Sequence, residues 1–247
     1  MNVADLQEFY ASPLGKATQR LIAAKLKLNV LGQSTETIVG LGYSVPFIEE
    51  ILLANSQATV LAFMMARRGV MAWPSSGAIL STLVDEHDLP LATNSVGTAL
   101  LTHSLEFTDS PEDLLEEIWR ILSPQGKLLL VVPNRRSLWA ATDNSPFGHG
   151  QPFSRSQLVS LLKAAQFSVS RVQNALFMPP SAKLADWPIA NGIEKIGAWT
   201  FPSFAGVIII EATKQIYAYV AERRVNRRLL RLRPALLPAP HRMRGQI

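Results

Sequence analysis

The chain has 247 residues, of which 48% are hydrophobic and 17% charged. This composition excludes disorder for most of its length and suits one large domain or two small ones. The chain has no cysteine, which excludes disulfides, thiolate metal sites and cysteine nucleophiles, and its four histidines are too scattered for a histidine-rich metal site. The net charge of +5 is uneven, because residues 222–247 hold eight arginines and one acid, a net +7, which leaves −2 for residues 1–221.

The first half of the chain predicts a helix followed by alternating strands and helices. A helix is predicted over 13–28, where Pro13 follows a capping Ser12 and apolar residues recur at spacings of three and four. Short apolar runs bounded by glycine or polar residues predict the next elements: strands over 37–42, 58–65 and 78–84, and a helix over 47–54.

The second half continues the alternation. Ser110 and Pro111, followed by acids, form a strong helix start. The predicted strands are 95–103, 128–132, 167–172 and 206–212, and the predicted helices are 111–122, 154–165 and 214–232. The proline- and tryptophan-rich segment 177–204 is interpreted as an insertion. Apolar strands alternating with helices indicate an α/β three-layer sandwich with a mostly parallel sheet, divided into a domain over 1–221 and a basic helix and tail over 222–247.

Three motifs in this order resemble the class I S-adenosylmethionine-dependent methyltransferases. Residues 85–90 read Asp-Glu-His-Asp-Leu-Pro, residues 102–107 read Thr-His-Ser-Leu-Glu-Phe, and residues 117–126 read Glu-Ile-Trp-Arg-Ile-Leu-Ser-Pro-Gln-Gly. They match the family's D…LP, H-x-LEH and E-x-x-R-x-L-x-P-G-G segments. The resemblance covers roughly residues 37–167 and points to a bacterial, type 11-like subgroup. It implies a seven-stranded Rossmann-like sandwich that uses S-adenosylmethionine and releases S-adenosylhomocysteine.

The resemblance also implies where the cofactor would bind, and the sequence departs from the family there. The glycine turn D-x-G-x-G-x-G is here Gly-Leu-Gly-Tyr-Ser-Val-Pro over 40–46, and no acid stands about 21 residues later, where the family places one for the ribose. The candidate cofactor-binding residues are Gly40, Gly42, Tyr43, Met64, Glu86, His87, Asp88 and Leu89. The alternative for each is structural: a turn that needs glycine, core packing, or a solvated acidic loop.

The candidate catalytic residue is His103, at the end of the fourth predicted strand. An imidazole with a pKa near neutrality suits a general base or an orienting group; a scaffold role is the alternative. Arg135, Trp139 and His149 follow the next strand and are the candidate substrate-binding residues, with solvation or packing as their alternatives. No metal ligands are predicted.

These observations predict a cytoplasmic S-adenosylmethionine-dependent methyltransferase of unknown acceptor. The alternative is a methyltransferase-like pseudoenzyme that acts as a binding or regulatory module through its basic tail. No apolar run reaches the length of a membrane-spanning helix, and no secretory leader is expected. Five arginines between 223 and 231 recur at helical spacing, so the tail could bind RNA phosphates or an anionic lipid surface, or could simply be solvated.

Overall fold

The computed structural model describes residues 1–26, 36–54, 58–143, 145–200 and 202–215. These residues all fall within one compact unit, Met1–Ile216. The predicted helix over 214–232 and the predicted boundary at residue 222 lie outside the described residues, except that Lys214 ends a strand.

The described residues form seven strands in one sheet, as the resemblance implies. In chain order they are β1 Ile38–Gly42, β2 Val60–Met65, β3 Ser81–Val84, β4 Val96–Thr102, β5 Leu122–Pro133, β6 Phe167–Ala175 and β7 Val207–Lys214. Their order in the sheet is β3-β2-β1-β4-β5-β7-β6. Strand β7 runs antiparallel to β5 and β6, and the other neighbours pair in parallel. The prediction of a mostly parallel, seven-stranded sandwich is confirmed.

Helices cover both faces of the sheet. They are α1 Val3–Ala11, α2 Pro13–Leu26, α3 Val45–Ala54, α4 Pro111–Ile121, α5 Arg155–Ala164 and α6 Trp187–Thr200. One apolar layer joins the buried side chains of α1, α2, α3 and α6 to one sheet face, and a second joins those of α4 and α5 to the other. The strands are apolar on both sides because each face has its own helical cover.

Two of these helices are absent from the sequence-based prediction. Helix α1 begins at a capping box, in which the Asn2 side chain accepts the Asp5 N–H and the Asp5 carboxylate accepts the Asn2 N–H. Ser12 follows the last residue of α1, and Pro13 begins α2. The sequence therefore shows one strong helix start where the structure has two helices. Helix α6 lies in the predicted insertion, where Pro188 is accommodated because it sits in the first turn.

Among the described residues, no helix is both long enough and apolar enough to cross a bilayer.

Candidate functional site

The turn after β1 lies directly against the end of β4. The Tyr43 N–H donates to the Thr102 carbonyl at 2.8 Å, and the Thr102 hydroxyl donates back to the Tyr43 carbonyl at 2.9 Å. The buried Ser44 hydroxyl lies 2.9 Å from the Thr102 hydroxyl. Because parallel strands present their carboxyl ends at one edge, this turn is where open α/β sheets place their ligands.

Both glycines of the turn are required by close packing. Gly42 has a φ of 84°, and a Cβ there would overlap the carbonyl oxygens of Thr102 and His103. At Gly40 a Cβ would lie 2.6 Å from the Ser44 side chain and 3.1 Å from Ile48. The structural role of each glycine is therefore visible, and their contact with a cofactor stays a prediction.

Helix α1 covers this edge of the sheet. Its Val3, Leu6 and Tyr10 side chains are buried there, and Arg68, from the turn after β2, donates to the Met1 carbonyl at 2.5 Å. The space that remains under the helix is about 10 Å³, about what one water needs. It is lined by Val3, Leu6, Gly42, Tyr43, Met65, Arg68, His103 and Phe107.

Tyr10 of α1 reaches the end of β4 through a cluster of rings. Its ring is stacked on Tyr43, with centroids 5.7 Å apart and an angle of 26° between the planes. Phe47 and His103 meet it edge-on, with centroids 6.0 and 5.8 Å away. Burial raises the pKa of the Tyr10 phenol well above its ordinary value, and the nearby Tyr43 and Glu106 add to the effect. The phenol is therefore neutral at physiological pH.

His103 lies between the Tyr10 hydroxyl and a buried carboxylate. Its Nε2 is 2.9 Å from the hydroxyl, and its Nδ1 is 3.4 Å from Glu106 Oε1. A proton on Nδ1 faces the carboxylate, so we assign Nε2 as the acceptor of the phenol hydrogen. The residue has a φ of 51°, a left-handed backbone that is uncommon outside glycine. Strained backbone of this kind concentrates at functional sites.

Glu106 is the least satisfied polar group at this edge. Its side chain is 1% exposed, and neither carboxylate oxygen receives a hydrogen bond from any residue that the structure describes. The neighbouring Ser104 hydroxyl is also buried without a described partner. Leaving a buried carboxylate without donors is costly, and such a group beside a histidine is a candidate for a functional role.

The end of β2 carries no carboxylate, and two cations follow in the turn after it. Met64 is buried in the core, and its sulfur accepts the Met71 N–H at 3.4 Å, whereas Met65 lines the remaining space. The strand is followed by the turn Ala66–Arg68, in which the Arg68 guanidinium lies 3.8 Å from the centre of the Phe107 ring. Burial lowers the pKa of Arg68, although Glu106 and Glu86 oppose this effect.

The loop after β3 is held by helix α4. The Leu89 N–H donates to the Glu117 carboxylate at 2.6 Å, and Arg120 binds both that carboxylate and the Leu89 carbonyl. Leu89 and Glu86 are buried, while His87 and Asp88 are exposed. These contacts give Leu89 a structural role, because they hold the loop against α4. None of the four predicted residues lines the space under α1.

The predicted substrate residues lie apart from one another. Trp139 is 1% exposed, donates its indole N–H to the Met178 carbonyl at 2.7 Å, and packs edge-on against Phe147, which contacts His103. Arg135 is exposed and donates to the Pro152 carbonyl, and the His149 ring lies 3.1 Å from the Asp143 carbonyl. Trp139 thus reaches the ring cluster indirectly.

Three predicted residues, Gly42, Tyr43 and His103, therefore lie together at this edge. Tyr10 and Glu106 lie beside them, and motif order alone does not identify these two. Glu106 stands in the Leu-Glu-Phe motif, three residues after His103, and that spacing is the signal that could have found it. Tyr10 has no such signal, since 93 residues separate it from His103. No group of three potential ligands among the described residues could hold a metal ion.

With α1 in this position, the edge does not fit S-adenosylmethionine. The remaining space holds about one water, and the Tyr43 N–H is already bonded to β4. No carboxylate stands in the turn after β2. The cofactor cannot enter the space beneath Val3, Leu6 and Tyr10 while these side chains are docked. A second space of about 250 Å³ is lined by Tyr10 and Tyr43 and extends to Trp73.

Comparison with known proteins finds similarity to methyltransferases. Residues 31–130 match the family model described as a methyltransferase domain. A malonyl-[acyl-carrier protein] O-methyltransferase of Alcanivorax borkumensis is 36% identical over 74 residues, which cover 28% of this chain. The chain spans a quarter of the length of that relative, 25%.

Solved structures share the fold at low sequence identity. An S-adenosylmethionine-dependent methyltransferase of Thermotoga maritima, described as a possible histamine N-methyltransferase, is 18% identical with a TM-score of 0.54, covering 86% of this chain and 96% of its own. The Streptomyces coelicolor geranyl diphosphate C-methyltransferase, solved with Mg²⁺, geranyl diphosphate and S-adenosylhomocysteine, is 18% identical with a TM-score of 0.51. The similarity covers 73% of this chain and 71% of that one.

Proposed function

Because residues 31–130 match a methyltransferase domain and the fold is shared with S-adenosylmethionine-dependent methyltransferases, we propose that this chain transfers a methyl group to an acceptor that loses a proton to His103. The observation that carries the proposal is the buried pair of His103 and Glu106 at the end of β4, with Nε2 directed at a hydroxyl. The acceptor itself stays open.

The pair is arranged to accept a proton. The Glu106 carboxylate, 3.4 Å from Nδ1, favours the tautomer with the proton on that nitrogen, which leaves the Nε2 lone pair to accept the hydrogen of a hydroxyl group at 2.9 Å. When Nε2 takes a proton, the imidazolium that forms is stabilised by the buried carboxylate 3.4 Å from Nδ1. This arrangement favours an acceptor with a hydroxyl or amine group.

S-adenosylmethionine supplies an activated methyl group, so the protein has to position the acceptor and remove one proton. For the cofactor we propose the residues predicted from the sequence: Gly40, Gly42, Tyr43, Met64 and 86–89. Arg135, Trp139 and His149 are proposed for the acceptor side, with Trp139 acting through Phe147. Cofactor binding requires α1 to shift.

The comparisons give no support to the alternative of a non-catalytic binding module. A cytoplasmic location and an RNA or lipid partner for the arginine-rich tail stay proposals, the second supported by the net charge of +7 over 222–247.

The proposal is tested by calorimetric titration with S-adenosylhomocysteine and by a screen of hydroxyl and amine acceptors that detects released S-adenosylhomocysteine. We expect measurable binding and turnover with at least one acceptor class. His103→Gln should retain binding and lose turnover by about 10²- to 10⁴-fold, the usual contribution of a general base. Full activity of His103→Gln would contradict the assigned role.

A further inference from the structure

Helix α1 occupies the place that the fold reserves for its ligands. Three of its side chains, Val3, Leu6 and Tyr10, are buried over the carboxyl ends of β1 and β4. What remains beneath them is about 10 Å³, far below the size of a small-molecule site. The first helix thus closes the part of the ligand edge that lies over Gly42 and His103.

Tyr10 imitates an acceptor at this edge. Its hydroxyl is a neutral donor 2.9 Å from His103 Nε2, the position that a methyl acceptor would take before losing its proton. Its ring is stacked on Tyr43 and flanked edge-on by Phe47 and His103. The histidine and its carboxylate partner are therefore already engaged by a group that the protein itself supplies.

Helix α1 is held at the strand edge by few polar contacts. Its capping box satisfies the Asn2 and Asp5 N–H groups within the helix, so these groups need no partner from the strand edge. Its link to α2 is the single extended residue Ser12. Beyond packing, its described polar contacts with the edge include the Tyr10 hydroxyl bond and the Arg68 bond to the Met1 carbonyl. An element that is held by few polar contacts belongs to the less stable parts of a fold.

We propose that α1 is a displaceable plug: its Leu6 and Tyr10 side chains hold the cofactor and acceptor places, and ligand binding drives the helix off the strand edge. The inference rests on the proposed function, because the competing ligand is S-adenosylmethionine or its product. A ligand that binds only the open form has its apparent affinity reduced by the fraction of molecules that are open. Weakening the plug should therefore strengthen ligand binding.

The absence of native cysteine allows a clean test of opening in the full chain. Leu6→Cys places one thiol under α1, and Leu158→Cys places one in the buried face of α5, in the opposite layer. Labelling of each thiol by a soluble reagent is followed with and without S-adenosylhomocysteine. We expect the ligand to speed labelling at position 6 and to leave it unchanged or slower at position 158, because only the first thiol is exposed by plug release.

Affinity supplies the second readout. Tyr10→Phe keeps the ring and removes the hydroxyl bond to His103, so S-adenosylhomocysteine should bind about fivefold or more tightly than to the wild-type chain. Leu158→Ala lowers stability without touching the plug and should leave the dissociation constant within about twofold.

The outcomes separate this inference from the proposed function. If S-adenosylhomocysteine binds the wild-type and Tyr10→Phe chains equally, or slows labelling at position 6, the plug is refuted and the methyltransferase proposal stands. If neither chain binds the ligand at millimolar concentration, both fail. Tighter binding in Tyr10→Phe together with faster labelling at position 6 supports both.

Discussion

Gly42 combines a positive φ with a close approach to β4, and mutation can separate the two constraints. We expect Gly42→Ala to lower the free energy of unfolding by about 3 kcal/mol or more, because left-handed strain adds to overlap with two carbonyl oxygens. Gly69 has a φ of 86° but open space at its Cβ position, so Gly69→Ala should cost about 1 kcal/mol. Urea denaturation measures both, and equal losses would show that φ alone matters.

Tyr43 makes the free energy of unfolding depend on pH in the alkaline range. Burial, with a smaller contribution from Glu49, raises the pKa of Tyr43 to about 12 from 10.0. A raised phenol pKa contributes stability that is fully present below pH 10 and is lost as the pH rises towards 12. Tyr43→Phe should remove this loss, about 2–3 kcal/mol over that interval. Urea denaturation of both chains at pH 9, 10 and 11 measures this difference. If the unfolding free energies of the wild-type and Tyr43→Phe chains fell in parallel with pH, the prediction would be contradicted.

Glu106 is assigned as a positioning residue, which predicts a spectroscopic effect apart from activity. In Glu106→Gln the amide no longer fixes the proton on Nδ1 of His103, so the two neutral tautomers should mix. The ¹⁵N shifts of the His103 ring report the tautomer directly. We also expect turnover to fall by about 10- to 100-fold while S-adenosylhomocysteine affinity stays constant, as for other orienting groups. Unchanged ring shifts would leave Glu106 with a packing role only.

Motif order places Gly42, Tyr43 and His103 at one edge, because strand ends in a parallel sheet converge whatever the side chains are. It cannot identify Tyr10 or Arg68, whose roles depend on how α1 and the turn after β2 pack. The missing ribose carboxylate is visible in the sequence. The bond from Arg68 to the Met1 carbonyl is visible only in the structure.

At the scale of elements, α4 and the loop after β3 form one unit through Glu117. Burial opposes its ionisation, but the hydrogen bonds from Arg120 and the Leu89 N–H outweigh that effect and lower the pKa of the carboxyl. A lowered pKa contributes stability above the ordinary value near 4.5, and that stability is lost as the pH falls. Glu117→Gln should therefore cost about 1–2 kcal/mol at pH 7.

The control for this unit lies on the same helix. Glu116 is exposed, so Glu116→Gln should change the unfolding free energy by less than about 0.5 kcal/mol at any pH. Urea denaturation at pH 7, 5 and 3 should show the Glu117→Gln curve approaching the wild-type curve only in acid. If the difference in unfolding free energy between the wild-type and Glu117→Gln chains stayed constant over that pH range, the carboxylate charge would not be what holds the loop.

The strands and the helices α2 to α5 are predicted because each carries a local signal, such as an apolar run, a cap or an N-terminal proline. Helices α1 and α6 lack a strong local signal of this kind. The Asn2 box precedes a short helix with only three buried side chains, and α6 leaves Ile196 and Trp199 exposed. Without a full apolar stripe, periodicity has little to detect. These two helices are also elements that the family resemblance does not cover.

At the scale of the whole molecule, the uneven charge predicts binding to polyanions. Replacing Arg223, Arg224, Arg227, Arg228 and Arg231 by glutamine removes five of the eight arginines in 222–247. The full chain should then leave a heparin column at clearly lower salt, because counterion release scales with the number of phosphate or sulfate contacts. The same number of surface lysine and arginine changes in residues 1–215 is the matched control. Equal shifts for both sets would show that total charge alone decides retention.

The ring of Phe147 touches three other rings, and this has an optical consequence. Its centroid lies 6.2 Å from Phe9 of α1, 5.1 Å from His103 and 5.5 Å from Trp139. The indole of Trp139 is thus coupled through one ring both to the first helix and to the proposed base. Any rearrangement at the strand edge that moves Phe147 will change the polarity around this indole. A chain in which the other four tryptophans are phenylalanine would therefore report, by emission wavelength alone, which molecules engage the edge.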